Sequence, residues 1–92
     1  MNPVIISSEA EADLTQAYLW YEQQVEGLGG ELLLCVDVCL KSIARSPKIY
    51  QRVHKNIRRA LIRRFPYGIF FIEETDYIKV IEPVAQTHYW AI

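Results

Sequence analysis

The run Ile57-Arg58-Arg59-Ala60-Leu61-Ile62-Arg63-Arg64-Phe65-Pro66-Tyr67-Gly68-Ile69-Phe70-Phe71-Ile72 leaves this chain few folding options. The first half carries four arginines, and the second is an almost wholly apolar run of isoleucine and phenylalanine, which suits a pleated surface. Pro66 fixes φ between them, and Gly68 permits a closing turn conformation. The run reads as two antiparallel strands, about 58–64 and 68–74. Glu74-Thr75-Asp76 is a second turn, leading to a third strand over about 77–84. The middle strand is apolar on both faces, with Ile69 and Phe71 on one and Phe70 and Ile72 on the other. Antiparallel sheets commonly keep one face wet. A face left apolar points to a protein partner. Alternatively, Tyr89 and Trp90 fold back over it, and both readings stand at this stage.

The preceding half supplies cover for one face. Residues 2–7 form a short first strand, with Val4, Ile5 and Ile6 at its centre. Ser8 is the expected N-cap of a first helix, with Glu11 completing a capping box. Ala10, Leu14, Ala17, Tyr18, Tyr21 and Val25 then trace one helical face. Gly27 is expected to end this helix, with Gly29-Gly30 opening the next connection. A second helix is expected over about 31–45. It is apolar nearly all round, which implies cover on more than one side. Ser46-Pro47 stops it. Residues 48–56 read as a loop with a short strand near 50–53. With 92 residues, the chain is one domain spanning 1–92. The fold class is α+β: an N-terminal strand, an antiparallel helical hairpin, then an antiparallel β-meander.

The net charge of −1 hides an uneven distribution. Residues 1–47 hold seven acidic and two basic side chains, whereas residues 48–67 hold seven basic and none acidic. A local field of that kind steers anionic partners whatever the total. No apolar run reaches the ~20 residues of a membrane span. The N-terminus has no basic region followed by an apolar one, so a cytoplasmic protein is expected. Cys35 and Cys39 then stay reduced, as small buried hydrophobes. No further ligands stand at metal-binding spacing, and no cofactor motif is present, so neither metal nor cofactor is expected.

Four arginines are the foremost candidates for chemistry. On one strand, Arg58 and Arg64 would share a face, and Arg59 and Arg63 the other. Either pair could bind phosphate or carboxylates through bidentate contacts. The competing reading is a solvated strand paired with the acidic first half. Tyr67, Tyr50, Tyr77, Tyr89 and Trp90 could stack on bases, or pack the core and its rim. His54 and His88 could transfer protons, but the sequence pairs neither with a partner.

Across nearly its whole length, the chain resembles the RelE/ParE superfamily of toxins from type II toxin–antitoxin modules. The resemblance rests on Ala12-Asp13-Leu14 leading to Trp20-Tyr21-Glu22, on Gly27-Leu28-Gly29, on Ile43-Ala44 followed by Pro47, and above all on 58–70. The last looks like the ParE-like, plasmid-stabilisation subgroup. The resemblance implies a small antiparallel sheet with a helical hairpin on one face. It also implies a cognate antitoxin wrapped around the toxin in a hetero-oligomer. Ile69, Phe70, Phe71 and Ile72 are the expected antitoxin contacts, and Arg58, Arg59, Arg63, Arg64 and Trp90 the expected target contacts. ParE-like members inhibit DNA gyrase, whereas RelE-like members cleave mRNA on the ribosome without metal. The nucleases usually carry an arginine directly after the turn tyrosine, where this chain has Gly68. Ala85 stands where many ParE-like tails carry a histidine, and Leu61 replaces a further basic position. Arg59, Arg63, Tyr67 and His88 remain as a sparse nuclease set. The implied activity is therefore gyrase inhibition without bond cleavage. The alternatives are a ribosome-dependent mRNA endonuclease and an inactive toxin fold that binds antitoxin alone.

Overall fold

The structure, a computed structural model, describes residues 2–82. Strand β1 (Val4–Ile6) leads into helix α1 (Ser8–Gln24) and helix α2 (Leu28–Arg45). A single 3-10 turn, Pro47–Ile49, then leads to β2 (Gln51–His54), β3 (Ile57–Leu61), β4 (Gly68–Glu73) and β5 (Ile78–Glu82). The sheet order is β1-β5-β4-β3-β2. β1 pairs parallel with β5, and every other pair is antiparallel. The expected α+β class and element order hold, with β2 as a full member of the sheet.

Local chemistry moves three boundaries. Ser7, not Ser8, caps α1, because its Oγ accepts from the Ala10 N–H at 3.1 Å. Its extended backbone (ψ 157°) is what a capping residue needs. Gly27 does not close α1, which ends at Gln24 with Val25 as its C-cap. Gly27 instead starts α2, in a left-handed conformation with φ 88°. Gly29 and Gly30 therefore lie inside α2 and not in a connection. Gly27 has no side chain to cap the helix, and Glu22 of α1 replaces it. The two Glu22 carboxylate oxygens accept from the Gly27 and Gly29 N–H groups at 2.8 and 2.9 Å. A negative charge there also suits the helix dipole. The helices meet so closely at this point that a Cβ on Gly29 would lie 2.6 Å from the Tyr18 carbonyl oxygen.

The core lies between the helical hairpin and one face of the sheet. Leu32 and Ile43 of α2 meet Ile69, Phe71, Ile78 and Val80 of the central strands, all with essentially no exposure. In α2 the buried residues Gly29, Leu32, Val36, Cys39 and Ile43 recur at steps of three and four, one stripe of the helix. The expected cover on more than one side is not provided by the described residues. Leu34 and Val38, at 67% and 63% exposure, stand open on the next stripe. Among the described residues, the two-helix layer gives α2 one helix neighbour and one sheet, and no further element packs on its remaining side.

Candidate functional site

The arginine-rich segment is not one flat basic strand. β3 ends at Leu61. The Ile62 N–H then donates to the Tyr67 carbonyl at 2.9 Å, closing the turn. Arg63 and Arg64 sit in that turn, and Arg64 adopts φ 73°. The expected sharing of faces by Arg58 with Arg64, and by Arg59 with Arg63, is therefore overturned, since strand alternation stops before Arg63. Arg58 and Arg59 do point to opposite faces.

Each arginine has its own setting. Arg58 lies opposite Phe71, on the core side at the sheet rim. It donates to the Tyr50 carbonyl at 2.7 Å and the Lys48 carbonyl at 3.4 Å, tying β3 to the chain entering β2. Arg59 lies on the outer face opposite Phe70. Its stem runs over Gly68, where a Cβ would meet Arg59 Cγ at 3.4 Å. Arg64 forms an ion pair with Glu31 of α2, Nη2 to Oε1 at 2.7 Å. Arg63 is exposed and lines the groove described below. Nearby, the Lys48 ammonium lies 3.0 Å from both Glu73 carboxylate oxygens.

Tyr67 is half-buried in an aromatic cluster. The Tyr21 ring stands edge-on to Phe65 at 5.1 Å and to Tyr67 at 5.8 Å, and Trp20 packs edge-on to Tyr21 at 5.0 Å. Burial pushes the Tyr21 phenol up to about 12, and the adjacent Tyr67 adds to the rise. Ile69 and Phe71 are fully buried beneath the helices, while Phe70 and Ile72 lie on the outer face, partly exposed. Two of the four expected antitoxin contacts thus serve the chain's own core. Ile5, 52% exposed, and half-buried Ile57 continue the outer apolar surface. His54 is exposed on β2. His88 and Trp90, with the expectations placed on Ala85 and Tyr89, lie outside the described residues.

The structure adds a feature that the sequence reading did not find. A groove of about 420 Å³ opens between α2 and the end of β3, floored by Leu34, Cys35, Val38, Cys39 and Leu61. Tyr50 lines it, and Arg63 and Arg64 stand on its rim. Its signal was the second apolar stripe of α2, which was read as buried. Among the described residues, no three of His, Cys, Asp and Glu come together as a metal site, and no helix is long and apolar enough to cross a membrane.

Comparison with known proteins places this geometry. No family model matches the sequence, and no curated protein matches it. Among solved structures, a chain of the chromosomal ParDE TA system from P. aeruginosa superposes with a TM-score of 0.80. The match covers 91% of this chain and 95% of that one, at 15% identity. The chain has a RelE/ParE-like fold. At that identity the likeness is one of backbone alone. The RelE/ParE-like fold leaves side chains free to diverge, and here the groove rim, the outer sheet face and Gly68 are the features to test.

Proposed function

We propose that this chain is the toxin of a type II toxin–antitoxin pair. In this reading it acts in the cytoplasm, is held inactive by a cognate antitoxin, and inhibits DNA gyrase by binding it. The carrying observation is the backbone likeness to a chain of a ParDE system over nine-tenths of the molecule. Two features support binding over cleavage. Gly68 stands where the nuclease-type relatives carry an arginine, and it leaves the Arg59 stem lying across the strand. Tyr67, one of the residues a nuclease would need facing RNA, is engaged in an aromatic cluster. Metal-free phosphoryl cleavage needs several cations and a proton-transfer group converging on one phosphate. Arg59 lies on the outer sheet face, and Arg63 on the groove rim.

Expression of the chain alone in bacterial cells tests the reading. Growth should stop and plasmid supercoiling should change, with transcripts intact, and co-expression of the neighbouring reading frame should restore growth. Rapid transcript cleavage with unchanged supercoiling would replace gyrase inhibition with the endonuclease alternative. Normal growth would leave an antitoxin-binding module without toxic activity.

A further inference from the structure

We propose that the outward face of α1 over residues 15–24 is a contact between two copies of this chain, packed antiparallel about a twofold axis that passes between Leu19 and Trp20. The function proposed above makes no use of this face, so the two are tested separately.

Three observations identify a second copy as the occupant. The first is charge. Between Leu14 and Val25 the one charged side chain is Glu22, and its carboxylate is turned into the helix junction, on the Gly27 and Gly29 N–H groups. The exposed positions are threonine, glutamine, leucine and tryptophan, with Leu19 and Trp20 at 51% and 55% exposure. Interface centres are likewise poor in charge and rich in aromatic residues. Two copies meeting through residues 48–67 would instead set seven cations against seven.

The second is a symmetry of the helix itself. Positions 15, 16, 19, 20, 23 and 24 are exposed, and those between them are buried or half-buried. This pattern reads the same in both directions about the midpoint of Leu19 and Trp20. An antiparallel copy with its twofold axis there sets each residue against the one an equal step beyond the centre. Leu19 then meets the partner's Trp20, and Gln16 the partner's Gln23. A glutamine amide both donates and accepts, so two of them can bond across such an axis. Thr15, Leu19 and Gln23 form a ridge at a spacing of four, with Gln16, Trp20 and Gln24 beside it. Ridges of this class interlock at about −50°. At that angle the helix ends diverge, which separates Asp13 from the partner's Glu26.

The third is a fixed anchor. Trp20 stands edge-on to Tyr21 at 5.0 Å, and Tyr21 to Phe65 at 5.1 Å. The exposed indole is therefore held in place beforehand and loses little freedom on docking. A contact of this length buries less than about 1,200 Å², which makes the dimer weak and concentration-dependent.

Sedimentation of the purified full chain from about 1 μM to about 1 mM tests the contact. The mass should rise from monomer towards dimer, and raised salt should not reverse the rise, since no ion pair holds the two copies together. In spectra of the 15N-labelled chain, dilution should shift the Gln16 and Gln23 side-chain amides and the Trp20 indole N–H, leaving the β2 amides in place. Leu19→Glu changes an exposed residue, so it should fold normally and weaken association about tenfold or more. Trp20→Lys should weaken it similarly. An equimolar mixture of the two variants should associate again, because the introduced carboxylate then faces the introduced ammonium. Gln16→Glu mixed with Gln23→Arg should likewise associate more tightly than either alone, without touching the aromatic cluster.

A chain that stays monomeric throughout, an unmoved Trp20 indole, or a Leu19→Glu variant that associates as well as the parent would each overturn the contact. So would the failure of both mixtures to restore association. A chain that dimerises in this way yet leaves growth unaffected keeps the contact and loses the toxin reading. A toxic chain that stays monomeric does the reverse.

Discussion

Two apolar stripes run along α2, and they have opposite fates. Leu32, Val36, Cys39 and Ile43 are packed against α1 and the sheet, while Leu34 and Val38 stand open beside the basic turn. The side chains are chemically alike, so composition does not separate them. What separates them is the number of neighbours the topology supplies. A two-helix layer on a five-stranded sheet can bury one stripe of each helix. A second stripe that stays apolar without cover costs solubility, and such a surface marks an interaction site.

The contrast has a direct thermodynamic test. Ile43→Ala, at a site with no exposure, should destabilise the chain by about 2–5 kcal/mol in urea unfolding. Leu34→Ala should change it by less than about 0.5 kcal/mol. Comparable losses would mean that the open stripe is covered in solution.

The adjacent glycines Gly29 and Gly30 sharpen the comparison on the same helix. A Cβ at Gly29 would strike the Tyr18 backbone, whereas at Gly30 it meets nothing within 4 Å. Gly29→Ala should cost about 1–3 kcal/mol by forcing the helices apart. Gly30→Ala should be neutral or stabilise by up to about 1 kcal/mol, since alanine restricts the unfolded chain and favours helix. Equal effects would show that the helix junction is looser than its geometry implies.

Glu22 comes next in size. It supplies from α1 the cap that Gly27 lacks, so Glu22→Ala should cost about 1–2 kcal/mol. Glu22→Gln keeps an acceptor and loses the charge, and should recover part of that stability. If Gln is no better than Ala, the carboxylate's charge at the helix terminus carries the effect.

Much of the fold was legible because its signals are local. The Phe65-Pro66-Tyr67-Gly68 turn, the Ser46-Pro47 stop and the apolar stripe of α1 each follow from a few adjacent residues. The misses came where distant parts of the chain compete. Ser8 was the expected cap, but Ser7 takes the place, because β1 delivers it extended with its Oγ beside the Ala10 N–H. Gly27 was expected to end α1 and Gly29 to open a connection. They divide because Gly29 lies against Tyr18, a contact set by tertiary packing. The arginines were read as one strand since composition carries no mark of where β3 stops, and the Ile62–Tyr67 bond decides that. The groove was hidden for the same reason: its floor belongs to α2 and its rim to the turn, and nothing in either segment announces the other.

The smallest expected effect concerns the two thiols. Cys39 belongs to the buried stripe, and Cys35, one turn earlier, is half-exposed at the groove. Burial raises the Cys39 thiol from 9.0 to about 11. At pH 8 it is then a thiolate in only about one molecule per thousand. Iodoacetamide under native conditions should therefore modify Cys35 well before Cys39, as peptide mapping over time would show. The same burial gives a pH dependence. The fold accommodates the neutral thiol, so its contribution is complete below about pH 9 and is lost as pH rises towards 11. Tyr21, raised to about 12 by burial beside Tyr67, acts in the same direction at higher pH. Urea midpoints should hold to about pH 9 and then fall. Cys39→Ala should flatten the first part of that fall while lowering the midpoint throughout. Faster labelling of Cys39 than Cys35 would mean that the groove floor opens readily, and the boundary between the two stripes of α2 would have to be redrawn.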